Sequence, residues 1–199
     1  MEACRSAYDR AVNDSIAAHA APGADRQLEH LSAQLSTVTD LDGLVGCLDL
    51  AAELLHADEV SVSSVDGSGR YVETLAQNGQ YGAGRFALAE FPATALVLAE
   101  QVLKQVSVDD LDSDEAERTQ LAVEGFRSML MAPLLSDGRS VGLIEVYTRS
   151  GRPWTRTEVR RVRLIAYSLG SVLHRLLMRA VAERPSAVPG RRPSVPAPR

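Results

Sequence analysis

Two apolar runs joined by an Asp-Gly turn, followed at once by a helix-capping signal, constrain this chain more than any other feature. Residues 128–135 (SMLMAPLL) and 140–148 (SVGLIEVYT) flank Ser136-Asp137-Gly138-Arg139. An Asp-Gly pair between such runs is among the strongest short-range hairpin signals. The two runs are the most apolar strand-like segments in the chain, which places them in the middle of a sheet. Pro133 interrupts the first run and predicts a bulge or a loss of pairing there. Thr155 and Glu158 then form a T-x-x-E capping box. Beyond it Val159, Val162, Ala166, Leu169, Leu173, Leu176 and Ala180 recur with alternating three- and four-residue steps, the period of a coiled-coil seam.

The upstream half supplies the partners for this hairpin. Leu28, Leu31, Leu35 and Val38 make one narrow apolar stripe on a helix expected over about 25–38. Asp40 caps a second helix reaching to about His56, with a wide apolar face of Leu41, Leu44, Val45, Leu48, Ala51, Ala52 and Leu55. The period then changes to two. Residues 59–65 (EVSVSSV) and 71–77 (YVETLAQ) read as strands about the turn Asp66-Gly67-Ser68-Gly69, a second hairpin. Residues 78–90 hold Gly79, Gly82 and Gly84 and read as a mobile loop with one short strand. A short helix over 92–101, a strand over 102–108 and a helix over 115–124 stopped by Gly125 complete the middle.

The ends differ from this body. Residues 1–24 read as a loose N-terminal helix or extension, and 25–182 as the folded domain. Residues 183–199 contain five prolines and four arginines and read as a disordered tail. Four arginines against one glutamate give the tail +3, so the remainder carries −8 of the chain's net −5. That acidic body argues against a domain-wide nucleic-acid surface, and the tail's arginines would support only weak, salt-sensitive contact. The expectation is therefore no membrane partner and an unlikely role for nucleic acid. No apolar stretch reads as a membrane span, and the N-terminus lacks an export signal, so a cytoplasmic location is expected. Cys4 and Cys47 form neither a CxxC pair nor a metal cluster.

The order helix, helix, hairpin, irregular middle, helix, hairpin, long helix resembles the GAF domain family. The resemblance rests on SMLMAPLLSDGRSVGLIEVYTRS as its closing hairpin, on RPWTRTEVRRVRLIAYSLGSVL as the start of its final helix, and on residues 28–55 as its opening helices. It implies an α+β, profilin-like fold. A central antiparallel sheet would carry the opening and closing helices on one face and a loop-covered small-molecule pocket on the other. Strand alternation fits two such faces: Val60 and Val62 toward the helices, Ser61 and Ser63 toward the pocket. In the last strand Ile144 and Val146 point one way, and Leu143, Glu145 and Tyr147 the other.

Glu145 is the only charge in that apolar strand. A buried carboxylate needs a donor or a proton. Two readings stand: a pocket acceptor for an amine or ring N–H, or the cross-strand partner of an arginine such as Arg127. Met129 and Met131 serve as pocket floor or as core filling. Tyr81, Phe86 and Phe91 serve as a pocket lid or as loop anchors. Arg85 is a candidate for an anionic ligand near the helix that starts at Pro92, or a solvated side chain. The pair Glu115 and Glu117 reads as an acidic helix start that complements the dipole. The basic run Arg156, Arg160, Arg161 and Arg163 reads as a solvated face.

The family's sharper chemistries find no residues here. No cysteine lies beyond Cys47 to hold a bilin or reduce a sulfoxide, and the cyclic-nucleotide signature is missing. His19, His30, His56 and His174 fall on flanking helices or their ends, away from the pocket wall a haem-binding member would use. The expectation is thus a non-enzymatic sensor with no metal, no named cofactor and an unidentified small molecule as its ligand. The narrow stripes, Leu28, Leu31 and Leu35 with Val162, Ala166, Leu169, Leu173 and Leu176, are expected to pair two copies as a homodimer through the terminal helices, with a signalling protein as a further partner; the competing reading of the stripes is an intramolecular bundle with residues 1–20. The competing expectation is an interaction and dimerisation protein without a ligand.

Overall fold

The computed structural model describes residues 22–82 and 84–183. Most of the expected N-terminal extension and of the proline-rich tail therefore lies outside the described residues. In chain order the elements are α1 (Pro22–Thr37), α2 (Leu41–Leu55), β1 (Glu59–Val65), β2 (Tyr71–Gln77), β3 (Gln80–Tyr81), β4 (Arg85–Ala87), a 3-10 turn at Leu88–Glu90, α3 (Pro92–Glu100), β5 (Lys104–Ser107), α4 (Glu115–Glu124), β6 (Ser128–Ser136), β7 (Arg139–Thr148) and α5 (Arg156–Ala182). The sheet runs β3-β2-β1-β7-β6-β5, with β4 also on the outer edge of β2, and every pairing is antiparallel.

Local chemistry explains the boundaries. The first described helix is already formed at Pro22, three residues ahead of the expected start, and a proline is tolerated in a first turn. Asp40 caps α2 by accepting from Gly43 N at 2.9 Å. Thr155 and Glu158 form the full capping box at the head of α5, and Arg152 donates to Glu158 from its two terminal nitrogens, Nη1 at 3.0 Å and Nη2 at 2.6 Å. The glycine-rich middle holds two short strands where one was expected. Backbone bonds from Thr74 N to Gly84 O and from Gly82 N to Leu75 O bind it along β2.

Pro133 does not break the ladder. It stands opposite Leu143 in unbroken register with β7, and the irregularity falls one step later, between Leu134 and Leu135. The pairing of β5 ends opposite Met131. Beyond that point β6 is an edge on one side, where a missing N–H leaves no ladder bond unmade.

Alternation along the central strands separates two cores. On one face Val60, Val62, Leu130, Ala132, Leu134, Ile144 and Val146 pack with α1, α2 and α5. On the other Met129, Met131 and Leu143 join Val72, Ala93, Val97, Leu121 and Phe126 under α3 and α4.

The stripes expected to form a dimer seam are used inside the chain. Leu31, Leu35, Val162, Ala166, Leu169 and Leu173 are buried in the helix-side core, and Leu28 and Leu176 are half-buried against it. Periodicity located an apolar face correctly but assigned it the wrong cover: α1, α2 and the sheet are wide enough together to take it. Arg175 and Arg179 fasten the arrangement by donating to carbonyls at the end of α1, Arg179 Nη1 to Thr39 O at 2.7 Å. Only the last residues of α5, from Met178, are continuously exposed. By length and hydropathy α5 also passes as a membrane-crossing helix, contrary to the sequence reading, with a third of its most apolar window buried in the chain. Its packing on β6 accounts for that apolar character.

Gly170 sits where α5 crosses β6. A Cβ there would overlap the backbone of Leu135. In an open helix Gly→Ala gains about 0.8–1 kcal/mol. Here the sign reverses: Gly170→Ala is expected to cost about 1–3 kcal/mol by overpacking, read as a lowered urea midpoint with unchanged slope.

Candidate functional site

The sheet face away from α1, α2 and α5 carries a cavity of about 70 Å3. Its floor is set by strand register. Ser61 of β1 lies directly across from Glu145 of β7, and Glu59 across from Tyr147. Tyr147 in turn faces Met129 of β6. Val72, Thr74 and Gln77 of β2 extend the floor. The roof is Phe86, Phe91 and Thr94 together with one face of α4, where Glu117, Gln120, Leu121 and Glu124 fall at helical spacing. Phe86 and Phe91 meet edge to face, with centroids 5.6 Å apart.

Glu145 takes hydroxyl donors from its own sheet. Ser61 Oγ donates to Oε2 at 3.0 Å and Ser63 Oγ to the same oxygen at 3.2 Å. Arg127 instead pairs with Asp109 on the surface, so the cross-strand arginine reading of Glu145 does not hold. Burial pushes the Glu145 carboxyl up, against the pull of the Ser61, Tyr147 and Ser63 hydrogen bonds. The accessibility it retains is toward the cavity. Burial likewise raises Glu59, with the nearby charge of Glu124 adding to it and the hydrogen bond from Gln77 opposing it. The Tyr147 hydroxyl is raised well above its usual value by burial and then by the Glu145 charge.

Glu117 stands out among the wall residues. It is 2% exposed. Its Oε1 accepts from Thr94 N at 2.8 Å, serving as N-terminal cap for α3, which Phe91 cannot supply from its side chain. Its Oε2 has no donor from the protein. The neighbour of Glu117 there is the carboxyl of Asp114, the N-cap of α4, held low by Glu117 and its backbone donors. Two carboxylates in contact cannot both stay ionised cheaply, and a shared proton satisfies both. Burial and Asp114 together bring Glu117 up to about 7.

Of the ten side chains the sequence placed at a pocket, Ser61, Phe86, Phe91, Met129, Glu145 and Tyr147 line the cavity. Ser63 lies beneath, bonded to Glu145 and 3.4 Å from Thr74 Oγ1. Met131 is fully buried core, with its sulfur 3.5 Å from Thr94 Oγ1. Tyr81 is exposed and donates its hydroxyl to Asp42 of α2, on the helix side. Arg85 is an outer-surface residue that pairs with Asp66 and Glu73 and stacks 4.2 Å over the Tyr71 ring. It therefore has no place at an anion site by α3. Sequence reasoning missed Glu59, Glu117 and Glu124. The signal was present in α4 as a polar i, i+3, i+7 face around Leu121, but Glu117 was read only as part of an acidic helix start that complements the dipole. Arg161 also departs from its expected solvated face, donating to Leu54 O at 3.3 Å.

The architecture has clear relatives. A model of the GAF domain matches residues 46–173, more than half of the chain, and the chain belongs to the GAF domain family. Members are in general small-molecule-sensing or signalling modules. Among solved structures it is similar to a phycocyanobilin-bound GAF domain from a cyanobacterial phytochrome, with TM-score 0.65 and 16% identity over 80% of this chain and 98% of that one. It is similar also to the GAF domain of a phosphoenolpyruvate-protein phosphotransferase from Coxiella burnetii (TM-score 0.64, 17% identity, 79% and 96% covered) and to that of the Acinetobacter enzyme (0.62, 14%, 81% and 98%). At these identities the likeness is one of fold. No curated protein matches the sequence.

Because Glu117 is raised in the folded state, its contribution to stability is complete below its ordinary value of 4.5 and is lost as pH rises through about 7. A Gln at 117 could keep the Thr94 bond and donate to Asp114 at every pH. Glu117→Gln is therefore expected to gain on the order of 2 kcal/mol over wild type at pH 8 and little at pH 4.5, measured by urea denaturation at both.

Proposed function

We propose that this chain is a non-catalytic sensory module that binds a small molecule between the sheet and α4 and passes the bound state to a second copy or a partner protein. The observation that supports this best is the polar wall of the cavity. Four glutamates and two aromatic roof residues converge on a space whose floor is otherwise a packed sheet. Such a wall is costly for stability alone, and desolvated carboxyls with shifted titration in a cleft are the signature of a candidate functional site.

The phytochrome neighbour carries phycocyanobilin. In this chain a space of about 70 Å3 is far below the roughly 300–1,000 Å3 of drug-sized ligand pockets, and the sole cysteine among the described residues, Cys47, is buried on α2 in the helix-side core. Both points support a ligand much smaller than a bilin. The same small volume favours a second reading, a dimerisation module whose pocket has closed on its own side chains.

Association of two copies would use the surface that α5 leaves free. Tyr167, Met178 and Val181 are 53%, 56% and 61% exposed. With Ser171 and His174 they follow four- and three-residue steps along one face, a heptad seam distinct from the buried stripe. A ligand that orders residues 78–108 acts on this seam only through a difference in affinity between two states.

Native mass spectrometry of the chain purified from its own host tests both parts. The expected result is a dimer retaining a small molecule, with Tyr167→Glu shifting it to monomer. A dimer without ligand supports the second reading. A ligand-free monomer overturns both.

A further inference from the structure

We propose that the cavity binds a small organic ammonium ion, held between Glu117 in the roof and Glu145 in the floor. This inference rests on the reading of the cavity as a ligand site and adds the ligand's charge and class.

Charge is the first argument. Glu59, Glu117, Glu124 and Glu145 line the cavity, and among the described residues its wall carries no lysine, arginine or histidine. An anionic ligand would meet four carboxyl groups and no cation there, and a neutral one would leave any ionised carboxylate without a counter-charge. The second argument is independent of composition. Glu117 is a buried carboxyl with one oxygen committed to Thr94, and its other oxygen has no protein donor once the proton shared with Asp114 is lost. A residue present only to cap α3 would not require that second oxygen beside Asp114. An ammonium group has N–H donors and positive charge, and it answers both deficits at once.

A bare metal ion fits less well. Among the described residues no group of three acidic, histidine or cysteine side chains converges in a way that could hold one, and calcium or magnesium needs about six oxygens gathered at one point. Here the carboxylates are spread between roof and floor, which suits a molecule with donors at separated positions. Phe86, Phe91 and Tyr147 complete the wall, and aromatic faces attract organic cations. The volume of about 70 Å3 limits the guest to a few non-hydrogen atoms unless α4 moves outward.

Binding should be linked to protons. Asp114 of α4 acts on Glu117 directly, Lys104 of β5 acts on Asp114, and the titratable groups that share the cavity wall with Glu117 are Glu124 from α4, Glu59 from β1, and Glu145 and Tyr147 from β7. Tyr147 is neutral, and Lys104 is the sole cation among them. An arriving ammonium ion therefore replaces the proton that Glu117 carries below about 7, and that proton is released to solvent.

The test is calorimetric titration of the full chain with ethylammonium chloride and with 1,4-diaminobutane dihydrochloride, against potassium chloride and sodium acetate, at pH 6 and pH 8. The amines are expected to bind about tenfold more tightly at pH 8, the factor that loss of one proton near pH 7 allows, with proton release visible as a buffer-dependent heat. Glu117→Gln should weaken binding at least tenfold and abolish the pH dependence. Glu145→Gln should weaken binding and keep the pH dependence. The proposal is overturned if acetate binds and the amines do not, if potassium matches the amines, if no amine binds to the folded wild type, or if Glu117→Gln binds as well as wild type. Amine binding that leaves hydrogen exchange over 78–108 and the subunit count unchanged keeps the ammonium site and removes the sensory reading. A neutral or anionic molecule retained from the host does the reverse.

Discussion

The fold depends on the two-residue alternation carried by three adjacent strands, β1, β7 and β6. Because their register is fixed, every second side chain faces the helix layer and every other one faces α3 and α4. Val60, Val62, Leu130, Leu134, Ile144 and Val146 fill the centre of the first set, which makes a slip by one residue prohibitively costly. The same register places Ser61 opposite Glu145 and Glu59 opposite Tyr147. The polar floor is thus a by-product of the rule that builds the apolar core behind it.

The roof obeys a different logic. Leu121 is the one apolar residue of α4 that is fully buried, and it anchors the helix over the sheet while Glu117, Gln120 and Glu124 share its cavity-facing side. A ten-residue helix with so little apolar surface gains little from packing. Its position is held instead by caps: Asp114 at its start, Gly125 at its end, and Glu117 reaching across to the first turn of α3. The last of these links puts a buried carboxylate beside another carboxylate. A site assembled from caps and acids is weaker than the sheet beneath it, as segments that respond to ligands are drawn from the less stable parts of a fold.

Much of this was legible in the sequence, for identifiable reasons. The Asp-Gly turn gave the central hairpin, the change of period at Glu59 gave β1 and β2, and Thr155 with Glu158 gave the start of α5. Alternation also separates Ile144 and Val146 from Glu145 and Tyr147 in the sequence itself. Two things were hidden. A 3-4 stripe shows that a helix face is covered but not by what, so Val162, Ala166, Leu169 and Leu173 read as a seam between chains and turned out to be core. A polar helix face shows that its residues are solvated or hydrogen-bonded but not which, so Glu117 read as a complement to its own helix dipole. Both failures have one cause: periodicity fixes the direction of a side chain relative to its own element, and the identity of the neighbour is a tertiary fact.

That distinction also bears on how far apart the cavity and α5 are. Ser63 donates its hydroxyl to Glu145 on the cavity side, while its backbone carbonyl leaves no space for a Cβ on Gly142. The same missing Cβ would touch Leu173 of α5. One strand therefore separates the carboxylate from the long helix, and at Gly142 the packing has no slack. Spatial contiguity is not coupling, which requires an element with two arrangements that both sites favour differently. Within this fold the sheet is too tightly registered to be that element. The capped, sparsely packed α4, which Glu117 ties to the first turn of α3, is better suited to the role.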